Sequence, residues 1–297
     1  MHVFSGLWAP LITPFTADGG LDLPSLTRLT RHLAGAGLQG LVVCGTTGEP
    51  ATLSSDEKAR VLSTVQAAAP DLPLVMGVSG VAPQAVAAEC RHWAAQGVQG
   101  FLVPPPAYVR PSQEGLLSFF THVADAAGRP LIVYDIPYRA GVSISLDTLL
   151  ALAAHPAIQA IKDCGGDTHK SQALIADGRL QVLAGEDHQI FSTLCQGGAG
   201  AIAASAHLLT DRFTGLLDAV REGDLRHARG LHHALAPLVR ALFAEPNPGP
   251  LKAALTSQGL IDSPTVRAPL MPASTDTCRA VARAMAWVDE VLAAAAA

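Results

Sequence analysis

The chain has 297 residues, 49% of them apolar and 15% charged, with a formal net charge of −5. A mildly acidic chain without a basic run is a poor match for nucleic acid, and no basic amphipathic stretch points to a membrane surface. The apolar share is enough for one large core or two ordinary ones, and no run of about 18 or more apolar residues is present to span a bilayer.

The opening stretch MHVFSGLWAP lacks the basic and apolar regions of a secretory signal. The five cysteines, at 44, 90, 164, 195 and 278, include no CxxC pair. The expectation is a reduced, cytoplasmic protein.

In chain order, apolar runs fall at residues 7–13, 40–44, 74–78, 100–103, 131–134, 158–162, 181–184 and 200–204. Most lack polar alternation, as parallel strands covered on both faces do. Helical stretches are predicted at 23–36, at 83–96, 112–127, 145–154, 188–196 and 207–221, and in a segment running to Ala68, where Ser54 or Ser55 is the cap and Asp56 and Glu57 suit the positive end. After residue 222 the strands stop. Helices at 225–243, 251–259 and 275–296 are separated by the proline-rich AEPNPGP and VRAPLMPAS. The rhythm predicts an α/β fold: a (β/α)8 TIM barrel carrying the active site over 1–223, then a C-terminal helical domain over 224–297. A doubly wound open sheet is the alternative. It needs a break in the rhythm or a dinucleotide loop, and the sequence has neither.

In such a barrel, chemistry belongs at the C-terminal ends of the strands. Lys162 ends the sixth strand and Tyr134 the fifth. GTTGE (45–49) follows the second, PPPAYVRP (104–111) the fourth, and Glu186 and Asp187 the seventh. The chain has only four lysines, 58, 162, 170 and 252, and Lys162 alone follows directly from a buried strand. One reading is a snorkelling or carboxylate-paired lysine. The other is an amine nucleophile that condenses with a carbonyl, because burial disfavours the ammonium form. Imine chemistry also needs a proton shuttle. The only tyrosines, Tyr108, Tyr134 and Tyr138, lie on the loops of strands four and five, where core packing is the competing role. GTTGE offers two hydroxyls and several backbone N–H groups in one turn, suited to a carboxylate, or serves as an ordinary strand-to-helix turn.

Together these segments resemble the dihydrodipicolinate synthase / N-acetylneuraminate lyase family of pyruvate-dependent aldolases. GTTGE, YVRPSQEGL (108–116), YDIPYRAG (134–141), AIKD (160–163), EPNPGPLKAAL (245–255) and VRAPLMP (266–272) carry the resemblance, in order and at matching spacing. It implies an imine between Lys162 and pyruvate, with no cofactor and no metal. Tyr134 shuttles protons, and Thr46 links it to Tyr108, which comes from a neighbouring subunit of a homotetramer. Gly45 and Thr47 hold the pyruvate carboxylate, and the Ile202 carbonyl lies near the lysine. Arg139 would bind the carboxylate of L-aspartate 4-semialdehyde, giving 4-hydroxy-tetrahydrodipicolinate in lysine and diaminopimelate biosynthesis.

Departures from the family pattern are Asp135 for asparagine, Tyr138 for a small residue, Ala140 for threonine and Pro50 for serine or alanine. They leave the pyruvate half intact and bear on the second substrate, so another pyruvate aldolase or a 2-keto-3-deoxy sugar acid aldolase or dehydratase is the alternative. Ala107, Val81, Ala85 and Lys58 stand where the lysine-feedback site has other residues, which implies weak or absent inhibition by lysine. Three further alternatives rest on less. A metal-dependent aldolase would use Glu186, Asp187 and His188, but three consecutive residues rarely converge on one ion. A non-catalytic ligand-binding barrel does not need the lysine and tyrosine set. Phosphate binding at GGAGA (197–201) competes with simple close packing there. Cys44 and Cys164 show no histidine partner, and the adjacent His232 and His233 are read as solvent-exposed.

Overall fold

The computed structural model describes residues 4–296. The outermost ends of the two predicted segments, residues 1–3 and 297, lie outside the described residues. Eight parallel strands follow one another in chain order in a closed barrel. They are β1 (Gly6–Pro10), β2 (Gly40–Val43), β3 (Leu74–Gly77), β4 (Gly100–Val103), β5 (Leu131–Asp135), β6 (Ile158–Asp163), β7 (Gln181–Ala184) and β8 (Gly200–Ile202). Apart from Gln159 and Gln181, every strand residue is buried, which is why the strands read as apolar runs without alternation.

Two compact units divide the chain. The first takes Pro73–Ile202 and the N-terminal residues through Gly6. It holds β3 to β8 with α3 (Pro83–Ala94), α4 (Gln113–Ala127), the one-turn α5 (Pro137–Ala140), α6 (Leu146–Leu152), α7 (Thr168–Asp177) and α8 (Ile190–Cys195). The second takes Leu7–Leu72 and Ala203–Ala297. It holds β2 and most of β1, α1 (Leu23–Ala34), α2 (Ser55–Ala68), α9 (Thr210–Arg221), α10 (Leu225–Leu242), α11 (Gly249–Ser257) and α12 (Thr275–Ala296). Within it, α10 packs against α9 and α12, and α1 against α2.

Side-chain caps set several helix starts. Ser54 accepts from the Glu57 N–H while the Glu57 carboxylate takes the Ser54 N–H, a reciprocal box that settles the α2 cap on Ser54. Ser112, Ser145 and Asp167 cap α4, α6 and α7, each such contact contributing about 1 kcal/mol.

Helix α7 was not among the helices expected from the pattern. Its buried positions are Leu174 and a lysine, Lys170, so it lacks an apolar stripe. The segment GGAGA is explained by packing: a Cβ on Gly200 would sit 2.0 Å from the Gly6 carbonyl oxygen, so only glycine fits where β8 meets the start of β1. Among the described residues no helix is long and apolar enough to cross a membrane.

Candidate active site

The register of the first unit brings two of the expected residues together. Tyr134 on β5 is the direct cross-strand partner of Lys162 on β6, and Lys162 is in turn the partner of Leu183 on β7. Each of the two polar residues is only 6% exposed, and the Lys162 ammonium nitrogen lies 4.6 Å from the centroid of the Tyr134 ring. A buried amine therefore sits beside a buried phenol at the C-terminal ends of adjacent strands.

The other lysines clarify this one. Lys170 and Lys252, assigned no role in the sequence, are buried as deeply as Lys162. Each is ion-paired to a buried carboxylate, Lys170 with Asp135 and Lys252 with Glu49. Lys162 makes no ion pair among the described residues. Two buried lysines are thus neutralised structurally, and the third keeps its amine available.

Lys170 explains Asp135. Asp135 follows Tyr134, is fully buried, and accepts from the Ile144 N–H at 3.3 Å. The Lys170 ammonium also donates to the Ile144 carbonyl at 3.2 Å. Burial raises the Asp135 carboxyl from its ordinary range and Lys170 pulls it back. The pair ties the end of β5 to α7 and to the segment after α5. Asp163, next to Lys162, is occupied by the Ser171 hydroxyl and the Gly165 N–H.

Beyond β7 the chain passes close over the lysine. A Cβ on Gly185 would lie 2.4 Å from the Cys164 sulfur and 2.8 Å from Lys162 Cγ, so position 185 admits no side chain. Glu186 comes next and accepts from the Tyr138 hydroxyl at 3.2 Å. Burial pushes the Cys164 thiol up, Lys162 opposes this and Glu186 adds to it, which keeps the sulfur a neutral, unreactive thiol. Arg139, in α5, is exposed and lies with Cζ 5.5 Å from the Tyr138 ring centroid. Tyr108, on the loop after β4, is 94% exposed in a left-handed conformation (φ 74°). Ile202 is buried at the last position of β8.

The second unit holds GTTGE. Gly45 caps a 3-10 turn over Thr46–Gly48, with Thr46 half-buried and Thr47 buried. Cys44 and Glu49, on either side, are both left-handed at φ 54°, a conformation that side-chain residues keep only when their surroundings impose it. The C-terminal helical region does so for Glu49. Asn247 donates to the Thr47 hydroxyl at 2.9 Å. Lys252 holds Glu49 Oε1 at 2.5 Å, and the Arg267 backbone N–H holds Oε2 at 2.9 Å. Phe15 stacks against both cations, 4.1 Å from Lys252 and 4.3 Å from Arg267. Burial brings the Lys252 amine down to about 8 against the opposing pull of Glu49.

The Arg267 guanidinium also binds Glu57 and the Thr52 and Gly19 carbonyls. Its hydrogen bonds lower the Glu57 carboxyl from 4.5 to about 2. Because the folded-state value lies below the unfolded one, this stabilisation is complete above pH 4.5 and disappears as pH falls toward 2. Glu57→Gln is expected to flatten the acid limb of a melting-temperature profile across that window. An acid limb identical to wild type would contradict the assignment.

The sequence pattern of the dihydrodipicolinate synthetase family matches residues 3–287. The chain belongs to that family. The 4-hydroxy-tetrahydrodipicolinate synthase of Synechococcus sp. (strain WH7803) is 40% identical over 274 residues, covering 91% of this chain and 90% of its own. Among solved structures, dihydrodipicolinate synthase from Thermotoga maritima superposes with a TM-score of 0.93 at 30% identity, over 97% of this chain and 99% of that one. The chloride-inhibited enzyme from Acinetobacter baumannii, solved with pyruvate, gives 0.92 at 31% identity over 96% and 99%.

For a member of the dihydrodipicolinate synthetase family, residue-by-residue reasoning missed the ion pairs of Lys170 and Lys252, the Asn247–Thr47 contact and the Tyr138–Glu186 contact. The scarcity of lysine was the available signal for Lys170 and Lys252. A chain with sixteen arginines and four lysines puts arginine on its surface, and three of its four lysines are buried.

Proposed function

We propose that the protein is a Schiff-base pyruvate aldolase that condenses pyruvate with L-aspartate 4-semialdehyde to give 4-hydroxy-tetrahydrodipicolinate. The observation that carries this reading is the buried Lys162 amine, beside Tyr134 and without an ion-pair partner among the described residues. Family membership supports it, and so does the name of the synthase that the Synechococcus relative bears.

The Lys162 amine attacks the pyruvate C2 carbonyl, giving a carbinolamine that loses water to form the imine. Loss of a C3 proton yields the enamine. Its carbon attacks the aldehyde, whose oxygen takes a proton to become the new hydroxyl. The amine of the former semialdehyde then attacks the imine carbon, closes the ring and releases Lys162. Tyr134 moves the protons of these steps. Gly45 and Thr47 hold the pyruvate carboxylate, and Thr46 relays between Tyr134 and a Tyr108 contributed by a neighbouring subunit of a homotetramer. The exposure of Tyr108 is consistent with that donation. The Ile202 carbonyl lies near the lysine, and Arg139 takes the second substrate's carboxylate. The chemistry uses no organic cofactor or metal, and the enzyme works in the cytoplasm.

Tyr134→Phe keeps the ring beside Lys162 and removes the proton carrier. The expected result is a fall in kcat of about 100-fold with pyruvate still trapped on the lysine. Turnover within about twofold of wild type would remove Tyr134 from the mechanism. Steady-state assays of aspartate semialdehyde against a panel of 2-keto-3-deoxy sugar acids test the second substrate. Exclusive activity on the sugar acids would replace this reading with the sugar-acid aldolase one.

A further inference from the structure

L-Aspartate 4-semialdehyde carries a carboxylate and an ammonium on one carbon. Arg139 answers the carboxylate, and the ammonium needs an anion near the same place. The carboxylates around Lys162 are few. Asp135 is neutralised by Lys170, and Asp163 is held by Ser171 and Gly165. Asp187 is buried and has a partner of its own. Glu186 differs. It is half-exposed, it follows the glycine that passes over Lys162, and no cation pairs with it among the described residues. Its hydrogen bonds come from neutral groups, the Tyr138 phenol and the Cys164 thiol.

Tyr138 connects the two charges. Its hydroxyl fixes Glu186 at 3.2 Å, and its ring carries the Arg139 guanidinium at 5.5 Å. Loops from β5 and β7 thus present a cation and an anion, joined by one tyrosine, on either side of the strand that bears the lysine. This gives a bulky Tyr138, where the family resemblance expects a small residue, a specific task.

We propose that Glu186 binds the α-ammonium group of the amino-aldehyde substrate, with Tyr138 positioning its carboxylate opposite Arg139. The assignment rests on the proposed function and adds the group that separates an amino aldehyde from one without an amine.

The test compares wild type, Glu186→Gln and Tyr138→Phe with L-aspartate 4-semialdehyde as substrate and succinic semialdehyde, which lacks the amine, as competitor. Glu186→Gln is expected to raise KM for the amino aldehyde about 10-fold or more, the scale of a lost charged hydrogen bond. The succinic semialdehyde inhibition constant, the pyruvate KM and borohydride trapping of pyruvate should each stay within about twofold. Tyr138→Phe should shift the amino-aldehyde KM in the same direction by a smaller factor, because the carboxylate remains. Equal weakening of both aldehydes, or an unchanged KM for the amino aldehyde, overturns the assignment and leaves a structural Tyr138–Glu186 strap. If wild type traps pyruvate yet does not consume aspartate semialdehyde, the second-substrate reading fails first and the assignment falls with it.

Discussion

Lys162→Ala is expected to lower kcat by at least about 10⁴-fold while leaving the fold intact, because the residue supplies a covalent bond and not a structural one. The three buried lysines make the argument. Removing a buried charge usually strands its partner, at a cost of about 3–5 kcal/mol. Lys162 has no carboxylate partner among the described residues, so its removal strands none. What it leaves is a gap beside the Tyr134 ring, where the amine nitrogen lies 4.6 Å from the centroid. Lys162→Arg fills that gap, keeps the positive charge and still fails, because a guanidinium stays protonated and does not form the imine. Thermal melting close to wild type for either variant, with activity gone, is the expected pair of results. A melt that collapses with Lys162→Ala would place the lysine among the structural cations.

Lys252→Met is expected to do the reverse. It leaves Glu49 buried with one hydrogen bond, from the Arg267 N–H, and costs about 3–5 kcal/mol of stability. The damage also reaches GTTGE. Glu49 is held left-handed at the end of GTTGE, and without its cation the turn carrying Thr46 and Thr47 loses an anchor. The pyruvate KM should rise as stability falls. The double variant Glu49→Leu/Lys252→Met, apolar on both sides, should recover most of the stability, since replacing a whole buried pair costs far less than breaking it. Denaturant unfolding of the two single variants and the double variant measures the coupling. Additive losses would show that the contact contributes little.

The barrel was legible in the sequence because strands buried on both faces are written as unbroken apolar runs, and three of the expected helices begin at side-chain caps, Ser54, Ser112 and Ser145. Helix α7 was not legible because its inward face is a lysine whose partner, Asp135, lies 35 residues away. Periodicity carries no information about such a pair. The same limit applies to the site. Lys162 and Tyr134 could be placed together because both end strands that are neighbours in chain order. The Tyr138–Glu186 contact spans 48 residues and joins two loops, and Asn247 reaches Thr47 across 200, so neither follows from local pattern. The apolar run at 7–13 outlasts the strand it predicts. After Pro10 the chain stays apolar, and Leu11 still bonds to Val42, but the ladder has ended.

The most direct measurement is reduction with borohydride in the presence of pyruvate, followed by peptide mass mapping. One reduced pyruvate adduct per chain is expected, on Lys162, with Lys58, Lys170 and Lys252 unmodified and no adduct in Lys162→Arg. Adduct on another lysine, or an untouched Lys162 in an enzyme that still turns over, would contradict an imine at Lys162.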